Sequence, residues 1–184
     1  HDLKTPLTRM LLQIEMLEKE DKIALKEDID AMVKMIDGYL AFAKDGAEEH
    51  TSNIELGELV KICIDKANQE KTWVYFENTL ECAPLTASRI AMERVINNFI
   101  ENANKYAHKA WVSLSSNDSQ YILMFDDNGP GIDEKYFLDV FKPFFRIDKS
   151  RNSNTGGTGL GLTIALDIIQ RHGGSIILGK SAHG

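Results

Sequence analysis

The chain has 184 residues, 43% of them hydrophobic and 27% charged, as expected of an ordinary globular protein with one large domain or two small ones. A net charge of -7 leaves no domain-wide basic surface, which argues against general nucleic-acid binding. Cys63 and Cys82 form neither a disulfide framework nor a metal-ligand spacing, and no apolar run approaches the roughly 20 residues that span a bilayer.

Residues 1–44 predict two helices. Leu3, Leu7, Met10, Ile14 and Leu17 alternate steps of four and three, and Leu25, Ile29, Met32, Ile36, Tyr39 and Ala43 continue the rhythm beyond a polar turn at Glu18 to Lys22. Two helices enclose such a seam poorly, so a homodimer forming a four-helix bundle is the expected solution. Ala47 to Asn53 is polar and without periodicity, and the expected domains are therefore residues 1–46 and 47–184.

The second part reads as mixed α/β. Leu56 to Asn68 predicts a helix, Trp73 to Thr79 a strand, and Ala87 to Ala107 a long amphipathic helix. Strands follow at Ala110 to Ser116 and Tyr121 to Asp126, joined by the turn residues Asn117-Asp118-Ser119. Arg146 to Gly157 reads as a loop, Leu160 to His172 as a helix stopped by Gly173-Gly174, and Ser175 to Lys180 as a last strand. The chain opens on His rather than Met and is expected to be an excised fragment.

Three groups of residues carry chemistry. At about 100° per residue, His1 points away from the Leu3/Leu7 seam, and Thr5 lies one turn on beneath it. Asp2 can accept from one ring nitrogen and leave the other free to attack an electrophile. Further on, Asp127 ends a strand and runs into Asn128-Gly129-Pro130-Gly131, a tight turn with close backbone access. The third group, Gly156-Gly157-Thr158-Gly159-Leu160-Gly161, is not a Walker loop, since no Gly-Lys-Ser/Thr follows. Nor does a buried strand precede it, as a dinucleotide fingerprint requires. It does open a helix, whose N-terminal N–H groups suit phosphate, and Lys142, Arg146, Lys149 and Arg151 flank it. Asn98, Asn102, Lys105 and Tyr106 share one face of the long helix, where carboxamide oxygens suit Mg²⁺ and a lysine suits phosphate.

Together these residues resemble a sensor histidine kinase of a two-component system. His1 to Pro6 resembles its H box, Asn98 to Tyr106 its N box, and Asp127 to Gly131 its G1 box. Phe141 to Arg146 resembles the F box and Gly157 to Leu162 the G2 box. All five stand in family order, and the first nine residues with the Arg146/Arg151 spacing look most like the osmosensor type. The resemblance implies an α+β chain: a dimerising phosphotransfer hairpin, then a Bergerat-type α/β sandwich whose ATP lid covers about residues 133–156. It further implies that Asn98 and Asn102 hold Mg²⁺, that Lys105 and Tyr106 meet phosphate or ribose, and that Asp127 reads adenine. Gly129, Gly131, Arg146, Arg151, Gly157, Thr158, Gly159, Leu160 and Gly161 complete the implied ATP site.

By the same resemblance His1 accepts the γ-phosphoryl group with Asp2 as base, and the phosphate passes to an aspartate of a response regulator. Thr5 would orient water in a phosphatase reaction on that regulator. The fragment is then a cytoplasmic part of a parent held in the bacterial inner membrane by other segments, and one more strand is expected after Gly184. Two further readings compete: another Bergerat-group ATPase that drives conformational change, and a degenerate kinase serving as a dimeric docking module.

Overall fold

The computed structural model describes residues 50–147, 158–181 and 183, together with Met10, Leu25, Ile29, Met32, Val33 and Ile36. The chain divides into two compact units, residues 1–48 with 143–160, and residues 49–142 with 161–184.

In the first unit the six described positions before residue 48 are all helical. Ile29 is buried, and Val33 and Ile36 pack against it at steps of four and three. Val33 stands in that small cluster and Met32 does not: Val33 lies about 40° around the helix from Ile29, whereas Met32 lies about 60° away on the other side and stays exposed. The rest of the expected hairpin, including Leu3, Leu7, Ile14, Leu17, the turn at Glu18 to Lys22, Tyr39 and Ala43, lies outside the described residues.

The second unit is an α/β sandwich. Strand β1 (Ser52–Glu55) leads directly into helix α1 (Leu56–Ala67). Glu55 caps that helix, its Oε2 accepting from the Glu58 N–H at 2.7 Å. The other oxygen, Oε1, accepts from the Ala83 N–H at 2.5 Å and ties β1 to β3 (Pro84–Ala87), its antiparallel partner. This two-stranded ribbon is absent from the sequence reading, which left Ala47 to Asn53 without structure. Strands of four residues are too short to show periodicity, and β3 begins on a proline.

The main sheet has the order β2–β4–β5, formed by Val74–Asn78, Ala110–Ser116 and Tyr121–Asp127. β2 runs parallel to β4, and helix α2 (Arg89–Tyr106) lies on the crossover between them. β5 returns antiparallel through the predicted turn, where the Asn117 Oδ1 accepts from the N–H groups of Ser119 and Gln120. Asn68, just past α1, aligns the start of β2: its Oδ1 accepts from Trp73 and Val74, and its Nδ2 donates to the Val74 carbonyl. Alternation then sends Val74, Val112 and Leu114 inward against Leu59, Val60, Ile64, Val95, Ile96 and Ile100 of the helices. Phe125 stacks on Phe99 with centroids 4.9 Å apart, which holds β5 under α2.

Helix α3 (Gly161–Arg171) packs on α2 through Ile164, Ala165 and Ile168. His172 pins its end: Nδ1 meets the Ile168 carbonyl at 2.8 Å, and Nε2 accepts from the Ser88 N–H at 3.2 Å. The expected strand at Ser175 to Lys180 does not form. No described strand flanks that run, so its N–H and C=O groups have no ladder to join, and Ile177 stands 87% exposed.

Cys63 is buried between α1 and its neighbours, and burial pushes its thiol pKa up, whereas Cys82 is exposed. The thiolate is the reactive form. Ellman titration of the native chain is expected to consume one thiol, at Cys82, and two only in denaturant. Rapid reaction of both would contradict this packing.

Candidate functional site

The second unit gathers several of the sequence-predicted residues where the C-terminal end of α2 meets the turn after β5. Asp127, half-buried at the end of β5, accepts from the Gly129 N–H through Oδ1 at 2.8 Å. Its Oδ2 has no hydrogen-bond partner among the described residues. One carboxylate oxygen therefore shapes the turn while the other remains to accept from a ligand.

Asn128, a residue to which the sequence reading gave no role of its own, locks this turn in place. Its Oδ1 accepts from the N–H groups of His108 and Lys109 at 3.0 and 2.9 Å, and its own N–H donates to the Lys109 carbonyl at 3.2 Å. The chain leaving α2 and the chain leaving β5 are thereby stitched together. Gly129 completes the junction by steric exclusion: a Cβ there would lie 2.9 Å from the Tyr106 carbonyl oxygen and 2.7 Å from Asp127 Oδ1. Gly131 has φ of 71° with open space around it, so its left-handed conformation and not crowding favours glycine there.

Along α2, the apolar residues Val95, Ile96 and Ile100 face the core, and Asn98, Asn102 and Lys105 are half-buried beside them. The Lys105 ammonium lies 5.1 Å from the ring centroid of the half-exposed Tyr106 and pairs with no carboxylate among the described residues. Asn98 sits against α3, its Oδ1 3.3 Å from where a side chain on Gly161 would begin. Its Nδ2 is buried with no hydrogen-bond partner. An orphaned buried donor is costly in isolation.

Arg146, Thr158, Gly159 and Leu160 belong to the first unit. Arg146 is exposed, Thr158 half-buried and Leu160 buried. Here too the sequence reading missed a partner, Phe144, whose N–H donates to the Gly159 carbonyl at 3.0 Å. Phe144 has φ of 64°, a left-handed conformation uncommon outside glycine. Gly159 also has a positive φ, and a Cβ there would lie 2.8 Å from the Phe144 carbonyl carbon. Its glycine is thus required by backbone apposition. His1, Asp2, Thr5, Arg151 and Gly157 lie outside the described residues.

Residues 87–184, more than half of the chain, match the model of the histidine kinase-, DNA gyrase B- and HSP90-like ATPase family. The chain belongs to that family, and its α/β unit is the Bergerat-type ATP-binding fold. Its similarity to sensor histidine kinases extends further: it is 31% identical to the sensor histidine kinase GtrS of Pseudomonas aeruginosa over 186 aligned residues, which cover 100% of this chain and 38% of GtrS. The chain spans about two fifths of the length of the curated relatives it matches. Among solved structures it is similar to the histidine kinase domain of the Escherichia coli osmosensor EnvZ, with 25% identity, a TM-score of 0.57, and coverage of 75% of this chain and 86% of that one. Full-length ShkA in complex with AMPPNP shares the fold at a TM-score of 0.64 and 21% identity, covering 92% of this chain and 40% of ShkA.

Two substitutions test the junction. Asn128→Ala strips two backbone donors of their acceptor and is expected to lower unfolding free energy by about 1–3 kcal/mol in urea titration. Gly129→Ala, which forces a methyl onto the Tyr106 carbonyl, is expected to cost at least as much. Unchanged urea midpoints would show that the turn is not held this way.

Proposed function

We propose that the chain is the ATP-binding and phosphoacceptor part of a protein-histidine kinase. The observation that carries this is the Oδ2 of Asp127, which has no hydrogen-bond partner among the described residues and is placed by the Asn128/Gly129 junction at the end of a helix that carries Asn98, Asn102 and Lys105. In this reading Oδ2 accepts from the exocyclic amine of adenine, Gly129 and Gly131 leave room for the ring, and Lys105 and Tyr106 meet phosphate and ribose. The family's pattern assigns Arg146, Arg151, Gly157, Thr158, Gly159, Leu160 and Gly161 to the nucleotide as well. The complex of ShkA with AMPPNP supports an adenine nucleotide as the ligand class.

Mg²⁺ fits the donor set. Among the described residues no cluster of His, Cys, Asp or Glu could cage a metal, whereas the carboxamide oxygens of Asn98 and Asn102 are hard donors. Such donors hold an ion that retains water and substrate oxygens. When bound, the ion supplies charge neutralisation at the phosphates.

The transfer itself falls to His1. Its unprotonated ring nitrogen forms a bond to the γ-phosphorus as the bond to the β–γ bridging oxygen breaks, and ADP leaves. Asp2 holds the proton on the other nitrogen. The phosphoryl group then passes to an aspartate of a response regulator, and in the phosphatase reaction Thr5 orients a water that attacks that aspartyl phosphate and releases inorganic phosphate. The hairpin of residues 1–46 forms the homodimer, residues 47–184 bind the nucleotide, and the parent protein is anchored in the inner membrane with this part in the cytoplasm. Among the described residues no helix is long and apolar enough to cross a membrane. A Bergerat-group ATPase of another kind makes no use of His1, Asp2 and Thr5, and the sensor-kinase relatives favour the first reading.

Incubation with [γ-³²P]ATP is expected to give an acid-labile label that is lost in His1→Gln. Persistence of the label in that variant would contradict the assignment, and steady ATP hydrolysis without label would favour the other ATPases. Asp127→Asn keeps the oxygen that accepts from Gly129 and replaces Oδ2 with a donor. Affinity for a fluorescent ATP analogue is expected to fall by at least about tenfold.

A further inference from the structure

Gly161 is the first residue of α3 and lies outside the left-handed region of backbone space. Nothing in its own conformation asks for glycine, and alanine favours a helix over glycine. The demand comes from Asn98 on the neighbouring helix. A Cβ at position 161 would lie 3.3 Å from Asn98 Oδ1, 3.6 Å from its Cγ and 3.9 Å from its Cβ. The carboxamide is therefore laid along the bare backbone of Gly161.

No hydrogen bond among the described residues fixes that carboxamide: its Nδ2 is buried without a partner among them, and its Oδ1 accepts from none of them. Packing then sets its orientation, and the backbone of Gly161 is one surface it lies against. Nor can α3 retreat to admit a methyl group. The Thr163 hydroxyl donates to the Phe141 carbonyl at 2.9 Å in the first turn, and Ile164, Ala165 and Ile168 are buried on the α2 side. An added side chain at 161 must displace Asn98 instead, by a few tenths of an ångström.

We propose that Gly161 is a positioning residue for Asn98: by lacking a side chain, it fixes where the Asn98 carboxamide points, and through it the affinity for magnesium-nucleotide. This rests on the nucleotide reading given above. This role, exerted through a side chain on another helix, is separate from the place beside the nucleotide that the family's pattern gives the Gly161 backbone, which Gly161→Ala leaves intact.

The test is a double-mutant cycle of Gly161→Ala and Asn98→Ala in this chain, read by titration with a fluorescent ATP analogue and Mg²⁺. Gly161→Ala is expected to weaken binding by about three- to tenfold, with a melting temperature no lower than that of the parent. In the Asn98→Ala background, where the crowded group is gone, Gly161→Ala is expected to have no further effect. Additive losses, an unchanged affinity for Gly161→Ala, or a loss that tracks a lowered melting temperature would overturn the proposal. Side-chain amide resonances of Asn98 in the nucleotide-free chain give a readout independent of binding. They are expected to shift in Gly161→Ala while those of Asn102 stay, and unmoved Asn98 signals would overturn the proposal whatever the affinity. If Asn98→Ala binds nucleotide as tightly as the parent, the nucleotide reading of Asn98 itself fails, and the proposal falls with it by a distinguishable result.

Discussion

The candidate site depends on how the exit of α2 is joined to the exit of β5. Past the last strand pair the two segments are joined by a backbone hydrogen bond from Asn128 to the Lys109 carbonyl, and the Asn128 side chain accepts from His108 and Lys109 across the gap. Gly129 lets the two backbones approach to a distance that no other residue permits. Asp127 is then held by its neighbours: Oδ1 is engaged by the Gly129 N–H, and the plane of the carboxylate is fixed with Oδ2 turned to other use. A binding carboxylate on an unconstrained turn would give up rotamer freedom when it met its ligand. Here that ordering has already been achieved in folding.

The sheet and helices exist, in functional terms, to bring this junction together. β5 is registered on β4 with Ala110 opposite Asp127, so the start of one strand and the end of the other lie at the same edge as the end of α2. Phe99 stacked on Phe125 sets the height of α2 over β5. Lys105 lies next to that end and Asn98 a little over two turns before it, on the side of the helix that the core leaves partly open. The same logic recurs in the first unit at a smaller scale, where Phe144 adopts a left-handed conformation and meets the backbone of Gly159.

Much of this was legible in the sequence because long elements write their period plainly. The 18 residues of α2 showed both its type and its inward face, and the runs of β4 and β5 showed their type. The β1–β3 ribbon was not legible: four-residue strands carry too few side chains for a pattern, and Glu55, which ties them, looks like any surface carboxylate. The run from Ser175 to Lys180 misled in the opposite sense, since β propensity without a partner strand does not make a strand. The motif glycines drew notice as a group, but their separate reasons did not appear. Gly129 excludes a clash with a helix carbonyl, Gly159 answers a left-handed phenylalanine, and Gly161 yields space to an asparagine. Each reason depends on a residue far away in the chain.

If these residues work together, one nucleotide surface runs from Asn98 to the Asp127 turn. Backbone amide chemical-shift mapping, during titration of this chain with a non-hydrolysable ATP analogue and Mg²⁺, is the sharpest check. The largest changes are expected on Asn98, Asn102, Lys105, Tyr106 and residues 127–131, with the outward-facing positions Tyr75, Ile122 and Met124 of the sheet unmoved. Saturable changes centred on that outer face, with residues 127–131 silent, would contradict a shared surface at the α2–β5 junction.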